Sequence, residues 1–331
     1  MKKKQIKHKL KDFFRITKNA VLNFGSNNPL NLAGTTSYFA SFSLAPILII
    51  IISLFGLLVG DDTMRTKLFE ELNKLIGQDS SLVLQNAIDN YELTKDSGIA
   101  TIIGIIFFLV SATTLFGIMQ GSINYIWRVK VKSNIKMSIL KLLRDRVFSF
   151  GVILSLGFLL LVSLIVDASI AFLRAFLSQH FGPDMIIFAQ IINLTISLGI
   201  VGTIFTIIYR FLPDVKVEWS AAWFGGIFTA VLFSLGKIAI GMIIGSSNMG
   251  VVYGAIGSFI IILIWIYYAS FILYFGVELT RQFSLLYKHE NEPLNFAVPF
   301  RIIQEDDDGE REEKSVEHAI SNETTRKKMG G

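Results

Sequence analysis

The sequence predicts an all-α polytopic membrane protein with about six transmembrane helices and additional interfacial amphipathic helices. Three observations carry this. Hydrophobic residues make up 52% of the 331-residue chain. They are gathered into long blocks separated by short charged segments. Lys and Arg crowd the N-terminal segment and every second loop.

Residues 1–28 read as a basic amphipathic helix. Ile6, Leu10, Phe13, Phe14, Val21 and Phe24 fall on one helical face, with Lys7, Lys9, Lys11, Arg15 and Lys18 over the rest. Such a helix lies in an anionic cytoplasmic interface or packs on the protein's own cytoplasmic face. Residues 29–287 form the membrane domain, with spans at about 37–60, 99–122, 147–166, 185–209, 219–244 and 251–279. A helix rising about 1.5 Å per residue crosses about 30 Å of hydrocarbon in each. Between the first two, residues 61–98 carry the stripes Leu68, Leu72, Leu75, Ile76 and Leu84, Ile88, Tyr91. These predict an extracytoplasmic helical hairpin broken near Gly77. Residues 123–146 form a cytoplasmic basic segment, within which 135–147 is a second amphipathic helix. Residues 288–331, rich in Asp and Glu and poor in apolar side chains, read as a disordered acidic cytoplasmic tail.

Basic residues set the orientation. The second loop carries Arg128, Lys130, Lys132, Lys136, Lys141, Arg144 and Arg146, whereas the first and third are sparse and the fifth has none. Both termini are therefore assigned to the cytoplasm and the protein to the bacterial inner membrane, as a multi-pass protein. The net charge of +5 is better read as this bias than as nucleic-acid binding. There is no cysteine, which excludes disulfides, thiolate chemistry and Cys-ligated metals. His8, His180, His289 and His318 are scattered without metal-ligand spacing, so no metal or cofactor is expected.

Polar groups inside the spans are the candidate functional residues. Pro46 removes a helical hydrogen bond and frees the Phe42 carbonyl, predicting a kink near Ser41 and Ser43. Lys237 is the one charge well inside a span. It is read as an anion or headgroup site, or alternatively as a structural ion pair or a snorkelling side chain. Depth points to Asp167 as its partner. Glu278, at the cytoplasmic end of the last span, pairs with Arg210, or with the nearby Arg281. Thr113, Gly117, Gln120 and Asn124 share one face of the second span, and Gln190, Asn193 and Ser197 one face of the fourth. Stripes of this kind usually serve interhelical hydrogen bonds and less often a transport path.

Four segments carry a resemblance to a known family. They are SYFASFSLAPILIIIISLFG (37–56), GIMQGSINYIWRVK (117–130), FLPDVKVEWSAAWFGGIFTAVLFSLGK (211–237) and VYGAIGSFIIILIWIYYASFILYFGVEL (252–279). In order and spacing they resemble the YihY/BrkB family of bacterial inner-membrane proteins. Val277, where the family more often has a small residue, and the acidic tail depart from its pattern. The resemblance implies a six-span inner-membrane protein, and members have been linked to virulence, serum resistance and envelope lipid handling. An older label as a tRNA-processing ribonuclease finds no support in these residues, which offer no clustered His, Asp and Glu metal set.

The sequence therefore predicts a non-enzymatic envelope protein that binds or moves a lipid-like or anionic amphiphile. Lys237, Asp167, Gln120, Asn124, Asn193 and the Pro46 kink would shape its site. Membrane lipids are the expected partners, anionic ones at the N-terminal and 135–147 helices, while nucleic acid is not. The alternative is a scaffolding membrane protein with no transported substrate.

Overall fold

The computed structural model describes residues 2–93, 98–132, 185–246, 249–287 and 292–300, with isolated positions between 151 and 162. The third predicted span apart from those isolated positions, the 135–147 helix, Asp167 and the chain beyond residue 300 lie outside these residues.

Helix α1 (Lys2–Gly25) ends in a turn where Asn28 takes a left-handed conformation, φ 50 and ψ 53. Asn tolerates this region through local hydrogen bonding. Pro29 then opens α2 (Pro29–Val59), where its fixed φ suits a first turn and its missing N–H leaves nothing unsatisfied. The helix continues across Pro46. Gly60, at φ 91, ends it, and its N–H bonds the Gly56 carbonyl at 2.6 Å. Helix α3 (Asp61–Ile76) carries Asp61 and Asp62 in its first turn and Lys74 in its last, each favourable to the helix dipole. Gly77, at φ 81, supplies the left-handed break before α4 (Gln78–Leu93).

Helix α5 (Gly98–Trp127) is followed by Arg128 at φ 60 and by the short strand β1 (Val129–Val131). Helices α6 (Met185–Phe211), α7 (Trp219–Ser246) and α8 (Met249–Leu286) and strand β2 (Ala297–Pro299) complete the described elements. Over their described residues α2, α6, α7 and α8 are long and apolar enough to cross a membrane. Helix α5 adds thirty residues without a charge. The all-α membrane class predicted from the sequence is therefore what the fold shows. These helices overlap the first, second, fourth, fifth and sixth predicted spans and run past them at one or both ends.

Helix α8 is central and touches α1, α2, α4, α5 and α7, while α6 packs chiefly on α7. Two large apolar clusters form around it, and a smaller one of Ile16, Ala20 and Leu279 joins α1 to it. The cap end gathers Ile51 and Phe55 of α2, Met64, Leu68 and Phe69 of α3, Leu84 and Ile88 of α4, and Trp265 of α8. The opposite end, here the clasp end, gathers Phe24, Ile123, Trp127, Tyr209, Val217 and Tyr274.

Small residues let α6, α7 and α8 approach closely. A Cβ added at Gly225 would strike Thr280 and stand 2.9 Å from the Gly276 carbonyl. One at Gly276 would strike Thr229 and Tyr209, and one at Gly226 would strike Thr206 and reach 2.8 Å from the Gly202 carbonyl. Each threonine turns its hydroxyl onto the glycine carbonyl one turn earlier: Thr206 to Gly202, Thr229 to Gly225 and Thr280 to Gly276. Three Gly-x-x-x-Thr units thus line these close helix contacts. Gly117 and Gly121 have open space where a Cβ would stand.

The tail expected to be disordered from residue 288 needs correction at its start. Strand β2 pairs with β1, and Lys132 N–H donates to the Phe296 carbonyl at 2.8 Å. Val215 bridges Pro293, Leu294 N–H reaches the Asp214 carbonyl at 2.9 Å, and Lys216 Nζ lies 2.8 Å from Glu292. The composition of 292–298 is unremarkable for a loop, and partners distant in sequence hold it, with one local bond from the Ala297 N–H to the Leu294 carbonyl at 2.7 Å. The chain divides after Val298, and the unit from 299 to 331 contributes only Pro299 and Phe300 to the description.

Candidate functional site

The clasp end concentrates the buried polar chemistry of the described residues. Pro213 and its neighbours turn the chain between α6 and α7, and this turn places Asp214 fully inside the bundle. Gln120 and Asn124 are one turn apart on α5 and so share a face. Gln120 Nε2 donates to Asp214 Oδ1 at 3.1 Å and to the Leu212 carbonyl at 3.2 Å. Asn124 Nδ2 donates to Asp214 Oδ2 at 2.7 Å, and its Oδ1 accepts from the Asp214 N–H at 2.8 Å. The turn and α5 are locked together by four hydrogen bonds around one carboxylate.

Glu278 of α8 is the second fully buried carboxylate. Gln282 Nε2 donates to its Oε1 at 2.6 Å and Arg281 lies 3.3 Å from the same oxygen. Asn27 Nδ2 donates to Oε2 at 3.3 Å, while Asn27 Oδ1 accepts from the Arg128 guanidinium at 2.7 Å. Arg128 also stacks over Tyr125, 5.0 Å from the ring centroid. Its left-handed backbone is disfavoured for a bulky residue. The guanidinium–amide–carboxylate chain holds it there, tying the α1–α2 turn to the end of α5 and to α8.

The sequence-predicted residues separate on this frame. Gln120 and Asn124 meet each other through Asp214. Glu278 takes Arg281 rather than Arg210, whose guanidinium lies over the Trp219 ring at 5.5 Å. The correction is geometric. Arg210 stands on the last turn of α6 facing the aromatic residue that opens α7, while Arg281 stands one turn from Glu278 on the same helix. Lys237 is half-buried on α7, about 27 Å of helical rise beyond Trp219, so it stands far from the Gln120–Asn124 clasp. No ion-pair partner of Lys237 falls among the described residues, and Asp167 lies outside them. Asn193 lies in α6, its side chain outside the description. Pro46 is buried in α2, and the serines beside it bond elsewhere than to Phe42. Ser41 donates to Tyr38, while Ser43 donates to Phe39 at 3.1 Å and across to the Ser111 carbonyl of α5 at 2.9 Å. The residues expected to shape one site thus stand at different depths, Gln120 and Asn124 at the clasp and Lys237 in the far half of α7.

Sequence reasoning missed Asp214 and Asn27. The signal for Asp214 was present, since a Leu-Pro-Asp turn between two spans sets a carboxylate at the mouth of the bundle. Asn27 gave no such signal.

Cavities lined by described residues include two, on α1 and on α3. One, of about 340 Å³, lies between α1 and α8 and is lined by Arg15, Ile16, Asn19, Gln282, Leu285 and Leu286. The other, of about 330 Å³, lies on α3 beside Asp62, Thr63, Thr66, Lys67 and Glu70. Among the described residues no group of His, Asp and Glu could hold a metal ion.

A bundle of long apolar helices tied at one end by buried amide–carboxylate clusters is an integral, multi-pass membrane protein. The family model described as "Virulence factor BrkB" matches residues 20–296, and the chain belongs to that family. The UPF0761 membrane protein of Psychrobacter sp. is 25% identical over 286 residues, covering 85% of this chain and 50% of its own length. Its counterpart in Pseudomonas aeruginosa strain LESB58 is 26% identical, covering 79% of this chain and 61% of its own. That of Pseudoalteromonas translucida is 28% identical, covering 76% and 80%. The chain thus spans about half to three-fifths of the length of the first two relatives. All three are named only as membrane proteins. No solved structure matches the chain.

Proposed function

We propose that the protein is a non-enzymatic lipid- or amphiphile-binding protein of the bacterial inner membrane, with its clasp end toward the cytoplasm. The observation that carries this is the second face of α1. Ile16, Ala20 and Phe24 are buried against the bundle. Phe14 and Leu22 remain 64% and 65% exposed, and Val21 is exposed beside them. Lys11, Arg15 and Lys18 are interleaved with these apolar residues. Both readings of α1 from sequence therefore have support: one face docks on the protein and the other suits a membrane surface with anionic headgroups. Trp219, Trp223 and Tyr287, all partly exposed, suit an interfacial aromatic belt at the same end.

Two measurements test this. In native mass spectrometry of the purified protein, wild type is expected to retain anionic phospholipid over zwitterionic lipid. The combined Phe14→Ser and Leu22→Ser variant is expected to lose part of that retention. Equal retention of both lipid types by wild type would sink the reading. For orientation, the cysteine-free chain accepts single labels: Asp79→Cys at the cap end should react with an impermeant maleimide in spheroplasts, and Ser26→Cys should not.

The scaffold reading is favoured by one fact, that Gln120 and Asn124 are consumed in bonds to the α6–α7 turn and Glu278 in bonds to Asn27 and to its own helix. Under the lipid-binding reading, Lys237 and Asp167 are proposed as a structural pair deep in the cap half. The exchange of Lys237→Asp with Asp167→Lys should then restore expression that either single change lowers.

A further inference from the structure

The geometry points to the cleft between α1 and α8 as a binding site for a phosphate-bearing anion, the headgroup of a phospholipid in the adjoining leaflet. This rests on the lipid-binding reading above and names its site. The cleft, of about 340 Å³, is lined by polar and apolar side chains from both helices. That volume is within the range of small-ligand sites, roughly 300–1,000 Å³. Its polar residues present donors. The Arg15 guanidinium offers a planar fork matched to two phosphate oxygens. Asn19 stands one turn further along α1 and offers its amide. Neither side chain has a hydrogen-bonding or charged partner among the described residues. Gln282 completes the set from α8: it is buried, and one Nε2 hydrogen is already given to Glu278 at 2.6 Å, leaving the other for a ligand.

That bond fixes the Gln282 amide before any ligand arrives, which lowers the ordering cost of binding. The nearest acidic side chain on α1, Asp12, is engaged by the Tyr287 hydroxyl at 3.4 Å. The apolar residues Ile16, Leu285 and Leu286 suit the glycerol and the first acyl carbons of a lipid better than a free ion. Leu285 is about half exposed and continues this surface outward.

The test uses the full-length protein in detergent micelles. Phosphatidylglycerol and phosphatidylcholine of matched chains are added in turn, and bound lipid is counted by native mass spectrometry. Wild type is expected to bind phosphatidylglycerol selectively. Arg15→Ala and Asn19→Leu, both on the surface of a helix anchored by Ile16 and Ala20, should each weaken that binding, Arg15→Ala by about tenfold. Arg15→Lys should fall between, having charge without the fork. Selective binding that is unchanged in Arg15→Ala and Asn19→Leu would overturn the cleft while leaving the lipid reading intact. No selectivity in wild type would overturn both. A final arm adds inorganic phosphate: failure of millimolar phosphate to displace the lipid supports the lipid source, and stoichiometric displacement would reassign the cleft to a soluble phosphate.

Discussion

At the clasp end the helices are tied by charged and amide side chains reaching across from different turns, whereas at the cap end they are covered by apolar residues of two short helices. Asp214 and Glu278 are each fully enclosed and fully partnered. Met64, Leu68, Leu84 and Ile88 do the equivalent task for the cap with no polar contact between them. The cap's charges pair with one another, Arg65 with Asp89 and the buried Lys67 with Glu71 at 3.1 Å. Buried hydrogen-bonded groups tolerate few alternative geometries, while apolar faces slide and repack at smaller cost. The clasp should therefore be the stiff end and the cap the adjustable one.

Four tests would break or sharpen that contrast. The largest effect is expected from Glu278→Ala, which leaves Arg281 and the Asn27–Arg128 chain without their carboxylate. Removing one partner of a buried pair costs about 3–5 kcal/mol. It should be read as a lowered unfolding midpoint in detergent, and a loss below ~1 kcal/mol would show that the clasp does not hold the bundle. Next comes Ile88→Ala, with an expected loss of about 2–4 kcal/mol from an emptied apolar site. Hydrogen exchange should localise it to α3 and α4, leaving the amides around Trp127 protected. If the clasp loosens equally, the two ends are one cooperative unit.

Gly276→Ala places a methyl against Thr229 and Tyr209 and should cost about 1–3 kcal/mol through overpacking. Gly121→Ala, where nothing stands in the way, should cost far less in the same unfolding assay. The smallest effect concerns pH. Burial pushes the Glu71 carboxyl up, but hydrogen bonds and charge from Lys74 and Lys67 outweigh it and hold the group below its usual range. A carboxylate with a depressed folded-state value adds stability that is present above its unfolded value. That stability is lost as pH falls through the folded one. The cap should thus loosen slightly below the ordinary glutamate range, by a few tenths of a kcal/mol given the exposure of the pair. Exchange of α3 amides measured across that window checks it, and Glu71→Gln should abolish the dependence.

Much of the bundle was legible because its signals are local. An uncharged run of twenty or more apolar residues has one low-energy state in lipid, since helix formation satisfies every backbone group within the segment. Pro29, Gly60 and Gly77 act within a few residues of themselves, so the break at Gly77 could be read from the chain alone. The polar stripe on α5 was equally visible, because Gln120 and Asn124 lie one turn apart. Its target was not. Asp214 is some ninety residues away, and no periodicity records which turn a helix face will meet. The same limit separated Glu278 from Arg210 and joined it to Asn27.

The sequence by itself determined the class of protein, the apolar helices that cross the bilayer and the side chains too polar to face lipid. Each follows from the free energy of transferring single groups, which composition and spacing express directly. Only the tertiary structure decided which polar groups meet. It sent Gln120 and Asn124 to Asp214, held 292–298 against the α6–α7 turn and left Lys237 in the other half of α7. Those pairings depend on how helices cross and how turns close, and such distances exist only once the chain is folded.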